Sequence, residues 1–144
     1  MTISIAPARS DELPAILALL ENSGLPPDGL SDHLATALVA RADGRIVGSA
    51  ALELYGPSAL LRSVAVAAAR RGQGLGQRLV QAALELARQR GVTSVYLLTE
   101  TAGEFFPRFG FRRIERTETP QAVQRSVEFT TACAESARAM RLAV

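Results

Sequence analysis

The residues of this chain best suited to chemistry form an arginine- and glycine-rich turn, Arg71-Gly72-Gln73-Gly74-Leu75-Gly76, which follows Arg70. A mostly apolar run from Leu60 to Val66 precedes the turn, and an apolar repeat at helical spacing follows it. Glycines keep side chains away from the backbone, and a helix that begins at such a turn presents unpaired, partially positive N–H groups. The turn therefore predicts an anion site that suits a phosphate or pyrophosphate.

The spacing of these glycines excludes two common phosphate-binding motifs and fits a third. G-x-x-x-x-G-K-S/T is absent because the chain has no lysine, and no G-x-G-x-x-G follows the first predicted strand. The pattern present is R-x-x-G-x-G, with Arg71, Gly74 and Gly76 at its fixed positions. It resembles the acyl-coenzyme A signature of the GNAT N-acetyltransferases.

The resemblance implies acetyl-CoA as the cofactor and a binding site on both sides of the turn. In that family a bulged strand before the turn holds the pantetheine arm, and an N–H of this strand is expected to polarise the thioester carbonyl. The amides of the turn bind the pyrophosphate, and a later aromatic residue lies near the coenzyme sulfur. The residues of this chain at those positions are Val64, Ala65, Val66, Arg71, Gly72, Gln73, Gly74, Leu75, Gly76, Gln77 and Phe106.

The segment Phe105-Phe106-Pro107-Arg108-Phe109-Gly110-Phe111 is a second point of resemblance, because many GNAT enzymes carry an aromatic residue before a Gly-Phe pair. That residue is often a tyrosine, which returns a proton to the thiolate leaving group. Phe106 has no proton to give. Three alternatives stay open: the thiolate leaves unassisted, a water supplies the proton, or another side chain does so.

A base must also remove a proton from the attacking amine, and carboxylates on the predicted strands are the candidates. Glu53 lies on the third predicted strand, Glu128 on the last, and Glu100 directly after Thr99. Arg62 lies in the central strand, where alternation places it beside Glu53. It is expected either to bind a substrate carboxylate or to form an ion pair with that glutamate. We therefore take Glu53, Arg62 and Glu128 as the catalytic candidates.

Three other side chains have roles that the sequence does not settle. His33 is the single histidine, and we expect it to be a surface or packing residue near the acceptor side. Tyr96 is an alternative acid on the strand next to the coenzyme. Cys133, the single cysteine, is expected to be a buried small apolar residue.

The loop Gly24 to Leu30 and the tail, over Arg116 to Pro120 and then Ser126 to Met140, are similar to those of a small GNAT subgroup named for arsenic resistance. One departure is Ala134, where that subgroup usually has proline. The resemblance implies that the acceptor is the amine of a small amino-acid-like compound, with arsenic- and phosphorus-containing compounds among the expected examples. It also implies that the loop and the tail segment Glu128 to Ser136 meet over the acceptor site.

Alternation, turn signals and helical repeats divide the chain into strands and helices. Strands are predicted over Thr2 to Ala6, Ala37 to Arg41, Arg45 to Tyr55, the Leu60 run, Val92 to Thr99, Phe111 to Thr117 and Arg125 to Thr131. Helices are predicted from Ser10 or Asp11 to Leu20, over Leu30 to Thr36, from Leu75 to Gln89 and over Glu100 to Phe109. The first four strands form an antiparallel meander, and the strand after the long helix is expected to lie parallel to the fourth. The resemblance implies the α/β GNAT fold: a mixed sheet of about six or seven strands with about four helices, splayed between the fourth and fifth strands.

Length and composition restrict the number of domains and the kinds of partner that we expect for this protein. With 144 residues, 48% of them hydrophobic, the chain is expected to form one domain over residues 1–144. No apolar run approaches the ~20 residues of a membrane span and no signal-peptide pattern is present, so we expect a cytoplasmic protein that does not bind a membrane. Interspersed charges disfavour nucleic acid as a partner. One cysteine and one histidine disfavour a metal site.

The sequence thus supports one leading hypothesis and two alternatives. The leading hypothesis is an N-acetyltransferase that moves an acetyl group from acetyl-CoA to a small-molecule amine, directly within a ternary complex. The alternatives are a protein N-acetyltransferase and a non-catalytic domain that binds acyl-CoA as a sensor or scaffold. The resemblance also allows a homodimer.

Overall fold

The computed structural model describes residues 2–100, 104–133 and 136–144. Its strands are β1 (Ile3–Pro7), β2 (Ala37–Ala42), β3 (Arg45–Tyr55), β4 (Ser58–Val66), β5 (Ser94–Thr99), β6 (Arg112–Ile114) and β7 (Arg138–Ala143). Its helices are α1 (Leu13–Asn22), α2 (Leu75–Gln89) and α3 (Gln121–Gln124), with short 3-10 helices that include Leu30–Thr36 and Phe106–Phe109. The predicted helix over Glu100 to Phe109 falls partly on residues 101–103, which lie outside the described residues, as do residues 134–135 of the predicted tail.

The seven strands form one mixed sheet in the order β1-β2-β3-β4-β5-β7-β6. The first four strands pair antiparallel in sequence order, as the turns between them predict. After the crossover helix α2, β5 returns parallel to β4, and β7 then pairs antiparallel with both β5 and β6. The α/β class, the mixed sheet and its parallel central pair are thereby confirmed.

Alternation along the strands divides the apolar core between the two faces of the sheet. On one face Leu79 and Ala83 of α2 pack against strand residues such as Leu52. On the other face Ile16 and Leu20 of α1 pack against residues such as Val39, Ala51 and Ala65. The two helices therefore hold the central strands from opposite sides and fix the position of the segment between β4 and α2.

The fourth and fifth strands separate after a short paired region. They pair at three positions, with Leu60 opposite Tyr96 as the last of these, whereas β4 continues to Val66 and β5 to Thr99. The strand backbones beyond these positions line a gap in the sheet. This divergence confirms the predicted splay.

A β-bulge lies in β4 directly beside this gap. Ser49 pairs with Ala65 and Ala51 pairs with Arg62, so Ala50 alone faces two residues of β4, Ser63 and Val64. Ser63 has a φ of +59°, in the left-handed region that side chains other than glycine rarely adopt. The bulge thus begins one residue before the segment Val64 to Val66 to which the sequence assigned it.

The predicted last strand, Arg125 to Thr131, was wrong. α3 ends at Gln124, directly before this segment, and the chain then turns and forms a single π-helical turn over Glu128–Ala132. The Ser126 Oγ accepts the N–H of Glu128 at 3.2 Å, a local bond that favours a turn over an extended strand. The strand lies instead at β7, and the predicted strand Phe111 to Thr117 is shortened to β6.

Candidate active site

Two cavities meet at the gap between β4 and β5. The larger has a volume of about 790 Å³ and lies between the Gly24 loop, the two strands and the segment around Glu128. The smaller has a volume of about 490 Å³ and follows the glycine-rich turn to the start of α2. Residues that line both cavities are Val64, Ala65, Val66, Arg71 and Phe106. The two spaces therefore form one continuous groove across the edge of β4.

The glycine-rich turn places the N-terminus of α2 at the smaller cavity. Gly74 precedes the helix with a φ of +78°, and its carbonyl accepts the first helical hydrogen bond, from the N–H of Arg78. The N–H groups of the first turn lie ahead of that bond and have no intrahelical partner. The Arg71 Nε donates to the carbonyl of Val66 at 3.1 Å and joins the turn to the end of β4. A turn of this kind, with partially positive amides and an arginine, fits a phosphate group.

The bulge directs a backbone amide toward the groove. The Ser49 hydroxyl donates to the carbonyl of Ser63 at 2.7 Å, on the β3 side of β4. Because the C=O and N–H of one peptide unit point in opposite directions, the N–H of Val64 points away from β3, toward the gap. Val64 lines both cavities, so this donor lies where they join.

The three catalytic candidates lie together beside the larger cavity. The Arg62 guanidinium donates through Nη1 to the Oε2 of Glu53 at 2.8 Å, and its Nε lies 3.4 Å from the Oε2 of Glu128. The same side chain donates to the Oγ of Ser63 at 3.1 Å and to the carbonyl of Pro26 at 3.2 Å. Arg62 therefore joins β3, the bulge, the Gly24 loop and the π-helical turn. Of its two expected roles, the structure shows the ion pair with Glu53.

The two carboxylates differ in their surroundings. Burial raises the pKa of Glu53, but hydrogen bonds from Ser126, Tyr55 and Arg62 outweigh it and hold the pKa below its usual range. Burial raises the pKa of Glu128 to about 7, and the longer contact with Arg62 offsets only part of this. Glu128 and Arg62 line the larger cavity, whereas Glu53 is not among its described wall residues. The cavity thus contains a carboxyl group that exchanges its proton near neutral pH.

The Gly24 loop and the segment before the π-helical turn pack closely. Gly29 has a φ of +72°, and a Cβ added there would lie 3.0 Å from a methyl carbon of Val127. Asp28 from the loop and Cys133 from the tail both line the larger cavity with Glu128. The loop and the described part of the tail therefore border the same space, as their resemblance to known sequences implies.

Comparison with protein families decides the family. The model of the acetyltransferase (GNAT) domain matches residues 33–113, which are more than half of the chain and run from the 3-10 helix Leu30–Thr36 to β6. This chain belongs to the GNAT acetyltransferase family.

Relatives and solved structures agree with this GNAT assignment. An uncharacterized N-acetyltransferase of Chlorobaculum tepidum is 33% identical over 68% of this chain and 63% of its own length. An amino-acid acetyltransferase of Neisseria meningitidis is 28% identical over 83% of this chain and 29% of its own length. The chain thus spans less than two thirds of the length of these curated relatives. Rv2747 of Mycobacterium tuberculosis, solved in complex with CoA and NLQ, has a TM-score of 0.83 at 25% identity and covers 98% of this chain and 99% of its own.

The structure shows the surroundings of three residues whose roles the sequence left open. Tyr96 packs in a cluster with Leu60 and Ile114 rather than in the groove, so it is badly placed to act as an acid there. His33 is partly buried and packs against Glu53, with its Nε2 3.7 Å from the Oε2 of that carboxylate. Cys133 is half-buried and lines the larger cavity, and burial raises the pKa of its thiol to about 12.

Sequence reasoning missed three serines that organise the site. Ser49 holds the bulge, Ser63 occupies it, and Ser126 hydrogen-bonds to Glu53 while it accepts the N–H of Glu128. All three are buried, and a buried hydroxyl needs a hydrogen-bond partner. Serines within apolar strands were the available signal for Ser49 and Ser63.

Phe106 lies where the two cavities join, in contact with other rings. Its ring centroid is 5.1 Å from that of Phe105 and 5.8 Å from that of Phe111, both in edge-to-face geometry.

Within the described ranges, no group of three or more histidine, cysteine, aspartate or glutamate residues is arranged to hold a metal ion. Among those residues there is also no helix both long and apolar enough to cross a membrane.

Proposed function

We propose that this GNAT domain transfers an acetyl group from acetyl-CoA to the amine of a small amino-acid-like molecule. The observation that carries the proposal is the continuity of the two cavities at the bulge, because donor and acceptor then meet at one point of β4. The relative from Neisseria meningitidis is an amino-acid acetyltransferase, and Rv2747 was solved with CoA and NLQ, which supports this donor and this class of acceptor.

The donor is assigned to the smaller cavity and the edge of β4. Acetyl-CoA, when bound, supplies a thioester whose carbonyl carbon is open to attack by an amine. The amides of the glycine-rich turn and Arg71 bind its pyrophosphate, and the backbone of β4 holds the pantetheine arm in the gap. The residues assigned to this role are Gln73 of the turn and ten that line the smaller cavity: Val64, Ala65, Val66, Arg71, Gly72, Gly74, Leu75, Gly76, Gln77 and Phe106.

The protein contributes a hydrogen-bond donor and a base to the transfer. The N–H of Val64 points into the gap, where it stabilises negative charge on the carbonyl oxygen. Glu128 takes the proton of the amine, because it lines the acceptor cavity and its pKa of about 7 suits proton transfer at neutral pH. Arg62 holds Glu128 in place, and Glu53 holds Arg62. Because Phe106 has no proton to give, we assign the protonation of the thiolate to water at the open mouth of the groove.

The acceptor is assigned to the larger cavity under the Gly24 loop. Its size and the closure of that loop against Val127 favour a small molecule over a peptide chain. A link to arsenic resistance, a homodimer, a cytoplasmic location and a single domain stay predictions of the sequence.

A panel of acceptors tests this function. Free thiol would be measured as it is released from acetyl-CoA with amino acids, arsenic- and phosphorus-containing amino acids, polyamines and peptides, and the acetylated product identified by mass spectrometry. Turnover with free amino-acid-like amines is expected. Turnover with peptides alone would replace the proposal with protein acetylation, and coenzyme binding without turnover would favour a binding module.

A further inference from the structure

The carboxylate of Glu53 is buried and accepts several hydrogen bonds, although it is not among the described residues of the cavity wall. It accepts from Arg62, from the Tyr55 hydroxyl and from Ser126, and its side chain is 1% exposed. His33 approaches the same Oε2 oxygen that Arg62 contacts. A carboxylate so fully paired, and absent from the described cavity wall, is unsuited to take a proton from a substrate.

Glu128, in contrast to Glu53, lines the cavity and makes a longer contact with Arg62. Its charged contact is the Nε edge of Arg62 at 3.4 Å, whereas the Nη1 of the same guanidinium is 2.8 Å from Glu53. Its side chain is 5% exposed and its carboxyl group borders the cavity. One guanidinium therefore serves two carboxylates, and the shorter bond goes to the one outside the cavity.

We propose that Glu53 is a positioning residue that acts on Glu128 through Arg62. By holding the guanidinium on the β3 side, Glu53 leaves the Glu128 carboxyl weakly paired and able to exchange a proton with the acceptor amine. This inference rests on the proposed role of Glu128 as the base of the acetyl transfer.

Each group around Glu128 either raises or lowers the pKa of its carboxyl. From β4, Arg62 lowers its pKa, and from β3, Glu53 raises it. From the tail, a hydrogen bond from the Cys133 thiol lowers it, and from the Gly24 loop, the charge of Asp28 raises it. Removal of the Glu53 charge both eliminates a like charge and frees Arg62 to pair with Glu128. The two effects have the same sign, so the pKa of Glu128 falls.

The test is a titration of Glu128 by carbon-13 NMR in protein labelled at the glutamate carboxyls, with the resonance assigned by its loss in Glu128→Gln. The wild-type midpoint is expected near 7, as burial of the carboxyl implies. In Glu53→Gln it is expected to fall by about one pH unit or more, the usual effect of an opposite charge brought within reach. Glu53→Asp keeps a buried carboxylate but withdraws it from Arg62 and Glu128, so a smaller fall is expected.

Glu12→Gln is the matched control. Glu12 is also a buried carboxylate paired with an arginine, Arg41, but it joins the start of α1 to β2, away from the cavity. Its loss is expected to leave the Glu128 midpoint unchanged.

The outcomes separate this inference from the proposed function. A Glu128 midpoint that stays in place or rises in folded Glu53→Gln or Glu53→Asp would overturn the coupling, as would a wild-type midpoint in the ordinary carboxyl range. The titration needs no substrate. A protein that shows the predicted midpoints but acetylates no amine would keep the coupling and refute the acetyl transfer.

Discussion

The hydroxyl of Ser49 donates to the carbonyl of Ser63 over 2.7 Å, and this bond holds the bulge of β4. Ser63 is in the left-handed region, which is costly for a side chain with a Cβ. The surrounding structure must therefore hold it there, and Ser49 supplies a direct bond from the neighbouring strand. The orientation of the Val64 N–H depends on this peptide unit.

Replacement of Ser49 by alanine is expected to reduce kcat about tenfold, because removal of an oxyanion donor costs ~100-fold or more and here the donor is only loosened. The KM for acetyl-CoA is expected to change little. Steady-state kinetics would measure both. Thr36→Val is the matched control, since it removes another buried hydroxyl that donates to a strand carbonyl, that of Leu52, away from the bulge. An equal loss of kcat in the two variants would contradict a special role for Ser49.

Glu128→Gln is expected to lower kcat/KM by roughly 100-fold or more, the usual contribution of a general base. Because the proposed base acts in its ionised form and the pKa of Glu128 is about 7, wild-type activity should fall as the pH drops below 7. That acid limb should disappear in the variant. The pH dependence of kcat/KM checks both points. A larger loss in Glu100→Gln, at another carboxylate on the cavity wall, would assign the base to Glu100 instead.

Gly74→Glu is expected to abolish coenzyme binding, because a carboxylate there repels a pyrophosphate and crowds its site. Gly91→Glu is the matched control at the other end of α2. The two glycines have φ values of +78° and +77° with open space around each Cβ position, so each variant should lose a similar ~1 kcal/mol of stability. Calorimetric titration with CoA should show binding in Gly91→Glu alone. Equal affinity for CoA in both variants would show that the coenzyme does not bind at this turn.

The ion pair of Glu12 and Arg41 is expected to stabilise the fold by an amount that depends on pH. The hydrogen bond from Arg41 lowers the pKa of Glu12 to about 2 from a usual value of 4.5. A carboxyl whose pKa is lower in the folded state stabilises the fold above its unfolded pKa, and this stabilisation is lost as the pH falls toward 2. Glu12→Gln should therefore cost about 3 kcal/mol at pH 7, near the lower end for breaking a buried pair, and progressively less below pH 4.5. Denaturant unfolding across this pH range measures the difference, and a constant difference would contradict the shift.

Local sequence signals were sufficient for the central strand, turn and helix. The apolar run before Arg71, the glycines after it and the helical repeat to Gln89 each report on their own segment, and together they imply a parallel return strand. Strand alternation also placed Arg62 beside Glu53, because the two lie on the same face of neighbouring strands. These contacts needed no knowledge of the C-terminal segment.

The C-terminal half of the site could not be predicted from local sequence signals. Glu128 reaches Arg62 because a buried serine turns the chain into a π-helical turn. The β-branched and aromatic residues on both sides of Glu128, such as Val127 and Phe129, indicate a strand just as well. The bulge was displaced by one residue, since no local signal marks a serine for a positive φ. The insertion of β7 between β5 and β6 depends on pairing across the whole sheet.

The most direct test of the account is a single-turnover reaction with acetyl-CoA carrying a labelled acetyl group and the best acceptor from the amine panel. Product, free CoA and intact protein would be followed together by mass spectrometry. Direct transfer predicts acetylated amine and free CoA in equal amounts, with the protein, including Cys133, unmodified throughout. Label that stays on the protein, or CoA released without acetylated amine, would contradict direct transfer in this groove.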